Sequence, residues 1–83
     1  MNLIVGTGNV FRDYYYPNLR YKSDYEYYDR DPSNFPAELN NLLLKDIDKE
    51  NIYETIFILT PPSTHYQLIQ DLHLIGKTFY IEK

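Results

Sequence analysis

Leu3-Ile4-Val5-Gly6-Thr7-Gly8-Asn9-Val10-Phe11 is the stretch that decides the fold. Three bulky apolar residues in a row, without polar alternation, are the pattern of a short strand buried on both faces. Gly6 ends that run, and Gly6 with Gly8 allows a tight strand-to-helix turn. A helix from about Asn9 to Tyr21 is expected next, kinked or shortened by Pro17, which lacks an amide for the helical ladder.

Outward from this unit the pattern repeats. Tyr25-Glu26-Tyr27-Tyr28 has strand propensity and closes at Asp29, before the turn-forming Arg30-Asp31-Pro32-Ser33. Pro36 can open a helix running to about Lys49, with Leu39, Leu42, Leu43 and Ile47 on one stripe. Thr55-Ile56-Phe57-Ile58-Leu59 is a third strand, stopped by Thr60-Pro61-Pro62, because prolines cannot donate to a sheet. Ser63 or Thr64 is placed to cap a helix whose apolar face is Leu68, Leu72 and Ile75, with Gly76 at its C′ position. Thr78-Phe79-Tyr80-Ile81 reads as a fourth strand before Glu82-Lys83.

The order β-α-β-α-β-α-β with right-handed crossovers predicts an α/β fold, a Rossmann-like parallel sheet of four strands with helices on both faces and strand order 2-1-3-4. Such an order leaves a crevice at the carboxyl ends of the strands beside the first one, where open α/β sheets bind ligands.

Eighty-three residues hold one core and exclude a multidomain enzyme. Eight Lys and Arg against twelve Asp and Glu give a net charge of −4, without the basic field that phosphate backbones need, so nucleic acid is not expected as a partner. No apolar run reaches the ~20 residues of a membrane span, so no membrane partner is expected either. With no Cys and only His65 and His73, neither a disulfide framework nor a metal site is expected. The expected location is cytoplasmic.

Gly6-x-Gly8 between a strand and a helix lets backbone approach a pyrophosphate, and the helix start offers free N–H groups. The third small position of that motif is occupied by Phe11, and a plain tight turn is the competing explanation. Asp29 lies 21 positions beyond Gly8, at the end of the second strand, where a carboxylate can accept both ribose hydroxyls of an adenosine. A solvated turn is the alternative for Asp29-Arg30-Asp31-Pro32. Arg30 is placed to meet a 2′-phosphate, but anionic Asp29 repels one, so NAD is expected, with NADP as the alternative.

Gly6-Thr7-Gly8-Asn9, Tyr28-Asp29-Arg30-Asp31-Pro32, Ile58-Leu59-Thr60-Pro61-Pro62-Ser63-Thr64-His65 and Gly76-Lys77-Thr78-Phe79-Tyr80-Ile81-Glu82-Lys83 together resemble, in order, the N-terminal half of the Gfo/Idh/MocA oxidoreductases, the glucose-fructose oxidoreductase and inositol dehydrogenase family. The resemblance implies a domain over residues 1–83 that binds NAD(P), an N-terminal piece of an enzyme transferring hydride to or from a sugar, polyol or nucleotide-sugar derivative. It further implies cofactor contacts at Gly6, Thr7, Gly8, Asn9, Val10, Asp29 and Arg30. Thr60, Pro61, Pro62 and His65 fall along the nicotinamide-ribose side, with Glu82 and Lys83 matching the family's E-K-P. By that match Lys83 is the catalytic candidate, easing alkoxide character as hydride leaves.

Two departures stand out. Between Asp31 and the third strand there is room for one helix where the family usually has a further helix and strand, so a trimmed sheet is expected. The family's second domain is not in the sequence, so the chain is not expected to turn over alone, and a missing C-terminal domain is an expected partner. A non-enzymatic interaction or sensor module that keeps the nucleotide-binding fold is the competing class, with self-association through the terminal edge strand. Seven of the ten tyrosines fall from Tyr14 to Tyr28, which is read as half-buried packing, with a partner-binding surface as the alternative.

Overall fold

The computed structural model describes residues 1–82, so Lys83 and the catalytic role that the resemblance gives it lie outside the described residues. Strands β1 (Asn2–Val5), β2 (Tyr25–Tyr28), β3 (Tyr53–Ile58) and β4 (Gly76–Ile81) form one sheet, all pairs parallel, in the order 2-1-3-4. This is the expected Rossmann-like α/β arrangement. β1 is central and buried on both sides, with Leu3 and Val5 on one face and Ile4 on the other.

On the first face, helix α1 (His65–Leu72) and the following turn bury Leu72 and Ile75 against Leu3, Val5, Ile56 and Ile58. On the opposite face, helical residues 9–18 and the turn Ala37–Leu42 bury Phe11 and Leu39 against Ile4 and Tyr27. Each fully buried side chain of this size contributes about 1.5–3 kcal/mol. Tyr53 joins the α1 face because alternation in β3 slips: the amides of both Glu54 and Thr55 turn toward β1, to Met1 O and Asn2 Oδ1, each at 3.1 Å.

Three helix expectations are corrected. The first helical segment ends at residue 18 rather than Tyr21. Pro17 cannot donate, and immediately ahead of it the helix widens, so that Tyr16 N–H reaches Phe11 O five residues back; a 3₁₀ turn, Tyr16–Asn18, then closes it. The helix expected from Pro36 to Lys49 is only a 3₁₀ turn, Ala37–Leu42. Leu43 bridges in parallel to Tyr27, and Leu44 N–H donates to Tyr27 O at 2.8 Å, satisfying the outer edge of β2. The leucine stripe is thereby split, with Leu39, Leu42 and Leu43 on one face of the sheet and Leu44 and Ile47 on the other. Where a further strand was expected to be trimmed away, a single bridge stands.

The third helix is also shorter, ending at Leu72, and Gly76 opens β4 instead of capping the helix. A Cβ at Gly76 would sit 2.6 Å from Ile56 Cδ1, so glycine there serves close packing of β4 on the core. Thr64 precedes α1 but makes no cap bond; its hydroxyl turns back to Pro61 O at 2.7 Å. Of the clustered tyrosines, Tyr27 is buried and Tyr15, Tyr16, Tyr25 and Tyr28 are half-buried, whereas Tyr14 and Tyr21 are exposed.

Candidate functional site

Val5 passes into Gly6, whose φ is +102°, a conformation L side chains rarely adopt. A Cβ there would also stand 2.9 Å from Thr60 Cγ2 and 3.0 Å from the Leu59 carbonyl carbon. Glycine is therefore required twice over, by backbone angle and by the close approach of the loop after β3. Gly6 N–H extends the ladder to Tyr28 O at 2.8 Å, and the bend then turns Thr7 toward the end of β2.

There Thr7 meets Asp29. Asp29 Oδ2 accepts from Thr7 N–H at 2.7 Å and from Thr7 Oγ1 at 3.1 Å, while Oδ1 accepts from Asp31 N–H at 2.9 Å. The two sequence-predicted landmarks, 22 residues apart, are thus in direct contact, and Asp29 braces the glycine loop. Three donors occupy most of the roughly four acceptor positions of a carboxylate, so a ribose must share or displace one. Gly8 is different from Gly6: nothing lies within 4 Å of a Cβ built on it, and it faces open space. The first helical turn closes with Arg12 N–H to Gly8 O at 3.0 Å, and the amides ahead of Arg12 have no upstream helical carbonyl to receive them.

A cleft of about 900 Å³ lies over these residues, at the carboxyl ends of β2, β1 and β3 and beside α1. Gly6, Gly8, Asn9, Val10, Asp29, Arg30, Thr60, Pro61, Pro62 and Glu82 all line it. Asn9 Oδ1 accepts from Arg12 Nη2. Thr7 and His65 do not line the cleft, and both act from behind it. His65 Nε2 donates to Thr60 O at 2.8 Å, since a carbonyl can only accept, which makes the ring a hydrogen-bonded clamp on the Thr60-Pro61-Pro62 turn. In the same turn Thr64 spends its hydroxyl proton on Pro61 O, so Thr60 Oγ1 must be the donor in its 2.5 Å contact with Thr64 Oγ1.

Sequence reasoning missed three participants. Gln67 and Asp71, one helical turn apart on α1, line the cleft and are joined by a Gln67 Nε2 to Asp71 Oδ1 bond of 3.0 Å. The Leu68 and Leu72 face of the helix marks which neighbours can point there, so that signal was present. Tyr15 is the third: its hydroxyl donates to Glu82 Oε2 at 2.8 Å, and burial, followed by that carboxylate, pushes the phenol well above its ordinary value, so it stays a donor. Nothing in a separation of 67 residues announces that contact.

Among the described residues the cleft is lined by the carboxylates Asp29, Asp71 and Glu82 and by the guanidinium of Arg30. A polyanion entering it is held by backbone N–H groups and by Arg30 at short range, against an unfavourable longer-range field. Among the described residues no cluster of three or more His, Asp or Glu side chains is arranged to hold a metal ion, and no helix is long and apolar enough to cross a membrane.

Comparison with protein-family models, with curated proteins and with solved structures finds no match to this chain. A fold of this class hosts many activities, so it is the site, not the fold, that bears on function.

Proposed function

We propose that the chain is a dinucleotide-binding domain that takes NAD(H), with NADP(H) disfavoured, and that it belongs to an oxidoreductase of the Gfo/Idh/MocA kind acting on a sugar, polyol or nucleotide-sugar derivative. The observation that carries this reading is the contact between Thr7, behind the switch-point cleft, and Asp29, which lines it; this contact brings a glycine-lined turn and an acidic strand end together. The cleft's size falls within the ~300–1,000 Å³ of small-molecule sites, and the open space over Gly8 suits close approach by a phosphate.

In this reading Gly6 sets the turn, Gly8 and the amides after it face the pyrophosphate, and Asp29 offers its remaining acceptor capacity to the adenosine ribose. Arg30 lies beside it, and the Thr60-Pro61-Pro62 turn with Glu82 borders the nicotinamide half. The bound dinucleotide would supply the hydride chemistry. The chain's own part is binding and orientation, and turnover by these residues alone is not expected, since hydride transfer needs a closed pocket and a placed acid or base. A reducing cytoplasm suits a chain without cysteine.

Isothermal calorimetry with NADH and NADPH tests the reading. Saturable NADH binding, weaker for NADPH, is expected; no heat from either at millimolar ligand removes it. The acidic balance of the cleft favours one second reading, a non-enzymatic sensor or interaction module for a less charged ligand. That module would take up adenosine at least as well as NADH in the same experiment.

A further inference from the structure

Glu82 borders the cleft at the end of β4, and its carboxylate is not free to turn. Its backbone stays in line with the strand, because Glu82 N–H donates to Ile58 O at 3.0 Å. Alternation then puts its side chain on the face that Tyr80 shares with Phe57, away from α1, where those two rings lie 5.8 Å apart. Tyr15 meets it there from the first helical segment. The widened turn Phe11–Tyr15 lets two successive tyrosines face the sheet: Tyr16 lies 5.9 Å from Phe11, and Tyr15 stands edge-on to Phe57 at 6.3 Å. With its ring held in this way, the Tyr15 hydroxyl is a fixed donor, 2.8 Å from Glu82 Oε2. Both residues are half-buried, so the bond is partly shielded from water. Tyr15 itself does not line the cleft.

We infer that Tyr15 is a positioning residue for the cleft: it holds Glu82 so that this carboxylate accepts from the paired hydroxyls of a second ribose, joined through a diphosphate to the nucleoside at Asp29. The inference rests on the nucleotide reading of the cleft and narrows its ligand to a diphosphate carrying a second polyhydroxyl group, as against a mononucleotide.

The sheet sets the spacing. In the order 2-1-3-4, with neighbours about 4.8 Å apart, the strand ends that carry Asp29 and Glu82 are separated by roughly 14 Å, and the glycine turn after β1 lies between them. A ligand held at Asp29 by one ribose and over Gly8 by its phosphates reaches the β4 side only if it continues past the diphosphate. The chemistry of Glu82 selects what the continuation is. An ionised carboxylate accepts and cannot donate, it repels a further phosphate, and with Oε2 engaged by Tyr15 it offers Oε1 to an O–H donor. A sugar hydroxyl pair meets those terms.

Calorimetric titration of the chain with ADP-ribose and with ADP, which lacks the second ribose, reads this out. The wild-type chain is expected to bind ADP-ribose more tightly than ADP. Tyr15→Phe keeps the packed ring and removes only the hydroxyl; it should weaken ADP-ribose about five- to tenfold and leave ADP within about twofold. Glu82→Ala should lose the same preference, and adding Tyr15→Phe to it should cost nothing further, because Tyr15 acts through Glu82. Circular dichroism reports whether each variant folds, and Glu82→Ala carries the test alone should Tyr15→Phe not fold. Wild-type affinities equal for the two ligands, a Tyr15→Phe loss shared equally by ADP as a merely structural role would give, no loss at all, or additive losses in the double variant would each overturn the inference while leaving the nucleotide reading in place. Binding of neither ligand at millimolar concentration overturns both.

Discussion

Replacing Asp29 by alanine removes one residue that holds three donors. The Asp31 amide is at an exposed turn and is rehydrated at little cost. Thr7 is only 4 % exposed, so its amide and hydroxyl lose a partner at 2.7 Å and 3.1 Å with little access to water. A buried polar group left unpaired costs about 1–3 kcal/mol, so two of them give a destabilisation of roughly 2–6 kcal/mol. A chain of this length has about 4–12 kcal/mol in total at the usual 0.05–0.15 per residue, so Asp29→Ala removes a large part of it. With a urea slope of about 1 kcal/mol/M, the unfolding midpoint should fall by roughly 2 M or more. Asp29→Asn keeps one carbonyl acceptor and should cost about half as much. Thr7→Ala removes the hydroxyl and the methyl but keeps the amide, and a double-mutant cycle with Asp29→Ala should show a coupling of about 0.5–3 kcal/mol. The assay is urea denaturation followed by circular dichroism. An Asp29→Ala midpoint within about 0.5 M of wild type, or strict additivity with Thr7→Ala, would refute the claim that this carboxylate braces the glycine loop.

Other consequences separate the fold from the ligand site. Gly6→Ala should destabilise by about 1–3 kcal/mol, from a positive φ and from contact with Leu59 backbone, while Gly8→Ala should leave urea stability within about 0.5 kcal/mol yet weaken NADH binding, because its Cβ enters the open space that the proposed pyrophosphate would approach. If the cleft's carboxylates repel the dinucleotide as its charge balance implies, NADH binding should hold or strengthen as salt rises, and a steep loss of affinity with salt would contradict that picture. At alkaline pH, burial raises the Tyr27 and Tyr53 phenols from 10.0 to about 12, aided at Tyr53 by its 2.7 Å bond to Glu26. The folded state holds these protons more tightly than the unfolded one, so their stabilisation is whole below pH 10 and is lost as pH rises toward 12. Urea midpoints measured across that interval should decline, and Tyr53→Phe should flatten the decline; a flat wild-type profile would contradict the burial argument.

The sheet was legible because its strands are short, apolar and separated by turn chemistry that leaves few alternatives. Leu3-Ile4-Val5 could only be buried on both faces, and Thr60-Pro61-Pro62 could only end a strand. The convergence of Gly6, Gly8 and Asp29 followed from strand order, since both lie at carboxyl ends of neighbouring strands. The helices were less legible because their lengths are set by tertiary demands. The Leu39 to Ile47 stripe satisfies a helical wheel, yet the unpaired edge of β2 takes Leu43 and Leu44 as a bridge, and propensity yields to that need. Gly76 has the right place for a helix cap, but crowding by Ile56 explains it better. The Tyr15 to Glu82 bond was beyond sequence reading altogether, because it depends on how the segment after Gly8 lies across the sheet.

Amide chemical-shift mapping with the isotopically labelled chain, titrated with NAD, tests the cradle most directly. Saturable shifts centred on Gly6, Thr7, Gly8, Asn9, Asp29 and Arg30, with smaller ones around Thr60 and Glu82, are the predicted result. A spectrum unchanged at millimolar NAD, or shifts confined to β4 and the tyrosines of the opposite face, would contradict it.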